Sequence, residues 1–191
     1  YKNKEKREAN LNTIIDETDR LNNLVNDILS LSIMESKMLV LNKEEFNLTA
    51  LIETIIKRYE IFTTTLEYKF ILDAKLEVIV NADRKKIEQV VYNLINNAIN
   101  YTGDDKTVYI RIYEKNGTMV EITDTGKGID DKEKDLIWDK YYRSKKNHKR
   151  NTVGTGLGLA IVKQILELHQ FEYGVSSTKN KGTTFYFKIN H

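Results

Sequence analysis

The chain has 191 residues, 40% of them apolar, enough to bury one sizeable core and too few for two unrelated enzymes in tandem. Thirty basic residues against 28 acidic leave a net charge of +2, which does not suggest a nucleic-acid binder; the absence of cysteine excludes disulfides, thiol nucleophiles and cysteine-held metal sites, and three scattered histidines offer little for a structural metal. No apolar run approaches the roughly 18 residues of a spanning helix, so the chain as given reads as soluble and intracellular, and the lack of any proline favours long helices and plain hairpins.

From about residue 5 to 39, Leu11, Ile14, Thr18, Leu21, Val25, Ile28 and Ser32 alternate at three and four, with Ile15, Leu24, Leu29 and Leu31 widening the stripe. This spacing predicts one amphipathic helix of the bundle or coiled-coil kind. No second segment of matching length and heptad character follows, so the stripe is expected to pack on another chain or a further helix. Residues 40–46 read as a short strand, and Asn47 as the N-cap of a helix through Leu51, Ile52, Ile55, Ile56 and Tyr59. Strands are predicted at 66–72 and 77–81, and Asp83 caps a helix carrying Ile87, Val90, Val91, Leu94 and Ile95. Val108, Ile110 and Ile112 alternate with polar partners, Asn116-Gly117 suits a type I′ turn, and 119–123 returns the hairpin. The polar stretch 125–152 is longer than an ordinary connection and reads as a lid with at most two short helices. A helix at 155–168 and strands at 173–177 and 183–189 complete the chain. Strands and helices do not alternate one by one, so residues 44–191 are expected to form a two-layer α/β sandwich, an α+β domain with helices on one face of a mixed sheet.

Three glycine-bearing segments flank the lid: Asp124-Thr-Gly-Lys-Gly-Ile129, Gly154-Thr-Gly-Leu-Gly-Leu159 and Lys181-Gly-Thr-Thr-Phe185. Neither of the first two has the spacing of a P-loop or a dinucleotide fingerprint. The second opens a helix, where free backbone N–H groups and the helix dipole can hold phosphate, although a tight turn would need the same glycines. Asn93, Asn97 and Asn100 share one helix face that also holds Val90 and Leu94, where amides facing nothing but apolar neighbours would be costly. An amide oxygen is a hard ligand suited to Mg²⁺, which points to a metal–nucleotide role.

Together these segments resemble bacterial sensor histidine kinases. Asn93-Leu-Ile-Asn-Asn97-Ala-Ile-Asn-Tyr-Thr102 is similar to the N box, 124–129 to the G1 box, Ile137-Trp-Asp-Lys-Tyr-Tyr-Arg143 to the F box and 154–161 to the G2 box, in the same order and spacing. Upstream, Glu17-Thr-Asp-Arg-Leu21 through Asp27-Ile-Leu-Ser-Leu31 and Met34-Glu-Ser36 resembles the second helix of the dimerisation and histidine-phosphotransfer hairpin. The resemblance implies a Bergerat-type ATP-binding fold of the gyrase, Hsp90, histidine kinase and MutL superfamily at 44–191, preceded at 1–40 by that second helix. It implies that Asp124 accepts from the adenine amino group, that Asn97 binds Mg²⁺, that Gly126, Gly128, Ile129 and Thr183 shape the adenine side, and that Gly154, Thr155, Gly156, Leu157, Gly158 and Leu159 meet the phosphates. Asn93, Asn100, Tyr101, Tyr142, Arg143 and Lys145 complete the implied ATP contacts.

Three positions depart from the family pattern. Asn100 stands where Lys or Arg is usual, Val153 replaces the first glycine of G2, and Asn180 replaces the first glycine of the last motif. The basic cluster Arg143, Lys145, Lys146, Lys149 and Arg150 around His148 reads as a solvated loop that could also supply the cation missing at Asn100. No His-Glu-Leu-Arg-like acceptor motif is found, and His148, His169 and His191 read as structural or exposed, so the chain is expected to be a piece of a longer kinase that phosphorylates a histidine elsewhere. The resemblance further implies a homodimer through the N-terminal helix, a response-regulator partner, no nucleic-acid partner, and a membrane-anchored parent whose anchor lies outside this segment. The alternatives are a nucleotide-binding and dimerisation module without kinase activity, or a superfamily ATPase. Against the ATPase, Asn93 stands where gyrase-type relatives carry a water-activating Glu, and an amide is no base.

Overall fold

The computed structural model describes residues 2–36, 40–74, 77–142 and 155–190. Helix α1, Lys2–Glu35, runs 34 residues and presents two different faces. Leu11, Ile14, Leu21 and Val25, members of the three-four stripe, are each more than half exposed. A second face, offset around the helix, carries Leu24, Leu31 and Met34 into the core beside α4 (Gly158–His169). Among the described side chains of α1, only those of its last turns are therefore anchored by apolar burial on this chain.

Strand β1 (Glu44–Asn47) pairs antiparallel with β3 (Ile79–Ala82) as a separate ribbon. Between them lie α2 (Leu48–Leu66) and β2 (Lys69–Ala74). The Asn47 side-chain oxygen accepts the Ala50 N–H at 2.9 Å, the expected cap. Helix α3 (Arg84–Tyr101), capped by Asp83, precedes the β4 (Thr107–Glu114) and β5 (Thr118–Asp124) hairpin, whose turn residues Asn116 and Gly117 both take positive φ. Two 3₁₀ turns, Asp131–Glu133 and Leu136–Trp138, lead toward α4, and β6 (Glu172–Ser177) and β7 (Thr183–Ile189) end the fold.

The main sheet has the order β2-β4-β5-β7-β6, with β2 and β4 parallel and every other pair antiparallel. Alternation sorts its faces: Val108, Ile110, Ile112, Val120, Ile122, Phe185 and Phe187 are buried under the helices, while Tyr109 and Arg111 look outward. This is the α+β sandwich with helices on one face of a mixed sheet that the patterning predicts.

Several boundaries differ from expectation. Residues 40–43 precede the strand rather than forming it, and Val40 is exposed. Residue 66 ends α2 instead of starting a strand, because Glu67 adopts a left-handed φ of 59° that stops the helix and re-aims the chain into β2. Helix α4 starts at Gly158 rather than 155, since Gly156 sits at φ 75°, outside helical space. The first part of the expected lid is pinned by Trp138, which packs edge-on against Tyr173 and Phe185. The remainder, 143–152, lies outside the described residues.

Candidate functional site

A cavity of about 1130 Å³ opens between α3, the ends of β5 and β7, the start of α4 and one face of α1. Its most buried charge is Asp124, 2% exposed at the end of β5. Its Oδ1 accepts the Gly126 N–H at 2.8 Å. Burial pushes its carboxyl up to about 6, with hydrogen bonds from the backbone N–H groups of Gly126, Thr183 and Asp124 itself pulling the other way. It is thus ionised at neutral pH and can only accept hydrogen bonds. A carboxylate desolvated to this degree and facing a cavity calls for a donor there.

The turn after Asp124 is shaped by glycine. A Cβ at Gly126 would stand 1.9 Å from the Tyr101 carbonyl oxygen, and Gly128 takes φ 73° where a Cβ would stand 2.4 Å from the Thr178 carbonyl oxygen. Ile129 N–H donates to Ser177 Oγ at 2.8 Å and Asn180 N–H to the Lys127 carbonyl at 2.7 Å, so the β6–β7 turn holds this loop in place. Asn180, at φ 61°, fills the position of the missing glycine because asparagine tolerates left-handed backbone.

Asn93 and Asn97 lie half-buried along the α3 wall and Asn100 lies exposed at its end, above the buried Val90, Leu94 and Ala98. Asn93 Nδ2 donates to the Gly158 carbonyl oxygen at 3.4 Å, which ties α3 to the opposite wall. That wall is the start of α4, and it differs from the starts of α2 and α3. Asp83 caps α3 and Asn47 caps α2, whereas α4 has no side-chain cap. Its first N–H groups carry the partial positive charge of a helix end, and Gly158 and Leu159 line the cavity.

Of the implied ATP-contact residues, Asn93, Asn97, Asn100, Tyr101, Asp124, Gly126, Gly128, Ile129, Tyr142, Thr155, Gly156, Gly158, Leu159 and Thr183 all line this one cavity. Leu157 does not: its side chain is wholly buried in the core, and only its backbone is at the loop. Arg143, Lys145 and Gly154, with the rest of the basic cluster, lie outside the described residues. His169 is buried at the end of α4, where Nδ1 bonds the Ile165 carbonyl and Nε2 accepts the Asp83 N–H at 3.1 Å, a structural role.

The wall that α1 supplies was not foreseen: Arg20, Asn23 and Asp27 line the cavity from that helix. Thr155 Oγ1 donates to Asp27 Oδ2 at 2.9 Å. Asp27 is half-buried, and that desolvation raises its carboxyl against the opposing hydrogen bond from Thr155. The signal was the spacing of 20, 23 and 27, one helix face continuing to Leu31 and Met34, but apolar periodicity drew attention to the other stripe. Asp105 and Thr125 also escaped notice; the Thr125 hydroxyl donates to Asp105 and meets Thr102 Oγ1 at 2.9 Å, bracing the end of α3 against the Asp124 loop.

The profile of histidine kinase-, DNA gyrase B- and HSP90-like ATPases matches residues 82–191. Sensor protein kinase WalK of Staphylococcus aureus is 35% identical over 99% of this chain, which spans 31% of the length of WalK. The catalytic domain of histidine kinase ThkA superposes with a TM-score of 0.68 at 30% identity, covering 78% of this chain and 95% of that domain. ThkA in complex with the response regulator TrrA gives 0.74 at 27% identity, covering 93% of this chain and 49% of that one. The chain belongs to the histidine kinase-, DNA gyrase B- and HSP90-like ATPase family and carries the ATP-binding catalytic domain of the sensor histidine kinases.

Proposed function

We propose that this chain binds Mg²⁺-ATP in the cavity and transfers the γ-phosphoryl group to a histidine of a phosphotransfer hairpin, for onward transfer to an aspartate of a response regulator. Asp124 carries the reading: a buried, ionised acceptor on the wall of the cavity suits the adenine amino group and opposes the carbonyl oxygen of guanine. Gly126, Gly128, Ile129 and Thr183 shape the space around that group, and the uncapped start of α4, with Thr155 and Gly156 ahead of it, takes the phosphates.

Among the described residues no cluster of three His, Asp or Glu could hold a metal by itself, and the amide of Asn97 is a hard donor on the wall between the two ends. That set fits an ion held mainly by phosphate oxygens, where Mg²⁺ would neutralise charge on the phosphates. Asn93, bonded to Gly158, braces the two walls and offers no base for water, which favours transfer over hydrolysis.

Residues 1–40 act in this reading as the second hairpin helix and 44–191 as the catalytic unit. The exposed stripe from Leu11 to Ile28 would be covered by further helices of a homodimer, because so long an apolar seam in water is costly. The partner resemblance to the ThkA complex makes a response regulator the expected recipient. No described helix is long and apolar enough to cross a membrane, so membrane anchoring of a parent protein would rest on other segments.

Calorimetry with Mg²⁺-ATP and Mg²⁺-GTP tests the binding half: ATP is expected to bind and GTP to bind far more weakly, and equal affinities would defeat the adenine assignment. Mixing the chain with a separately supplied hairpin bearing the acceptor histidine tests the rest, with acid-labile phosphate on the hairpin as the expected product. ATP binding without any such product would leave the regulatory module as the better description.

A further inference from the structure

The contact between α1 and the phosphate end of the cavity joins positions 128 residues apart through one hydroxyl. Thr155 Oγ1 donates to Asp27 and at the same time accepts the Leu157 N–H at 3.3 Å, immediately before the uncapped start of α4. On the same face Leu24, Leu31 and Met34 hold α1 against the core, so the carboxylate is presented to the loop from a helix that is already docked. Arg20, also on the cavity wall, does not neutralise it: it pairs with Glu17 at 3.2 Å and lies two helical turns away, about 10 Å along the axis.

We propose that Asp27 is a charge latch on the phosphate loop: its carboxylate holds Thr155 and α1 against the start of α4, and nucleotide phosphates arriving at that start weaken the hold. The inference rests on the nucleotide reading above. An ionised carboxylate has no proton to offer a phosphate oxygen, and two like charges a few ångströms apart in a half-desolvated setting repel strongly. The carboxylate reaches the start of α4 through Thr155, where the phosphates would also sit, so the two anions oppose each other. By linkage, nucleotide occupancy then loosens α1 by the same factor by which a docked α1 weakens nucleotide binding. Asp27 acts through Thr155 and is a positioning residue, and the latch makes the helix that precedes the catalytic unit responsive to what the cavity holds.

Asp27→Asn separates charge from shape, because its amide oxygen can still accept from Thr155. On the full chain, calorimetry is expected to give ATP binding about three- to tenfold tighter in Asp27→Asn, the scale of one screened like-charge contact, with adenosine, which lacks phosphate, binding as in the wild type. A residue that merely supported the loop would give the opposite sign. The chain has no cysteine, so nitroxides at Asn22→Cys and Glu172→Cys report the distance from α1 to the sheet directly. Saturating ATP is expected to broaden that distance in the wild type, and by less in Asp27→Asn. ATP affinity equal to or weaker than wild type in Asp27→Asn, with adenosine binding intact, overturns the latch, as does a distance that ATP leaves unmoved. Wild type that binds no ATP overturns the nucleotide reading and the latch with it.

Discussion

Asp83 and Asp124 are the same residue in nearly the same place, each at the C-terminal end of a strand and each withdrawn from water, at 8% and 2% exposure. Their surroundings make them opposites. Both carboxylate oxygens of Asp83 are consumed by the fold: Oδ1 accepts the Lys86 N–H at 3.2 Å and Oδ2 the Asn42 N–H at 3.0 Å, while its own N–H goes to His169. Asp124 accepts the Gly126 N–H through Oδ1 and also borders the cavity. Burial of a carboxylate does not by itself mark a site. What marks it is a buried carboxylate on the wall of an open cavity, and the cost of keeping it there shows as a carboxyl raised to about 6.

The largest effect that could break this comparison is on binding. Asp124→Asn is expected to cost about 1.5–3 kcal/mol of ATP affinity, the worth of a charge-assisted hydrogen bond, which calorimetry would read as roughly a ten- to hundredfold loss. The same substitution is expected to stabilise the domain at pH 7 by about 1–2 kcal/mol. The sign follows from the raised carboxyl: such a group contributes stability below its ordinary value of 3.8, and that contribution is lost as pH rises through about 6. A melt showing Asp124→Asn less stable than wild type at pH 7 would mean the carboxylate is structural after all.

Asp83→Ala is expected to behave the other way, losing about 1–2 kcal/mol of stability with the α3 cap and the Asn42 tether while leaving the ATP affinity of folded protein unchanged. Denaturant titration and calorimetry on the same preparation separate the two. If Asp83→Ala abolished ATP binding in a chain that still folds, the division between capping and ligand-binding aspartates would fail.

How far each aspartate was legible in the sequence differs for physical reasons. Asp83 was readable as a cap because a cap is local: its partner amide is three residues away, just ahead of Ile87, the first of the apolar positions of α3. The Asp124 site became readable only when four motifs stood in order, because its walls come from α3, two strand ends and α4. Strand alternation in 108–112 and 183–189 held up because one face is buried and a one-residue slip would expose it. The end of α2 was misjudged because a single left-handed residue, Glu67, overrode a continuing apolar pattern. Asp27 and its neighbours were missed because nothing local distinguishes a cavity-lining polar face of a long helix from a solvated one.

Between pH 7 and 5 the wild type is expected to lose ATP affinity as Asp124 gains a proton near pH 6 and ceases to be a pure acceptor. The loss should approach tenfold per pH unit once the group is mostly protonated, and Asp124→Asn, already weak, should show no such slope. A wild-type affinity flat down to pH 5 would place the base-recognising charge elsewhere.

The smallest expected effect belongs to the corner around Asp83, through His169. Its ring is neutral in the fold, with Nδ1–H donating to the Ile165 carbonyl and Nε2 accepting the Asp83 N–H, so protonation would set a new N–H against an existing donor. Burial lowers its affinity for a proton, with Lys43 adding to that and the Ile165 bond and Asp83 opposing it. A lowered imidazole value means the unfolded chain takes the proton first, so stability is held above the ordinary 6.5 and falls as pH drops below it. The loss cannot exceed about 1.4 kcal/mol per pH unit for one proton, and in the wild type it is opposed by the gain at Asp124 over the same acid range. The clean comparison is therefore Asp124→Asn with and without His169→Gln, by denaturant titration at pH 7.5 and 5.5. The single variant is expected to weaken on acidification, and the double variant, whose glutamine oxygen can accept the Asp83 N–H without titrating, is expected to weaken less. Equal slopes would mean that this corner stays indifferent to protons and that acid sensitivity of the fold arises at groups other than His169.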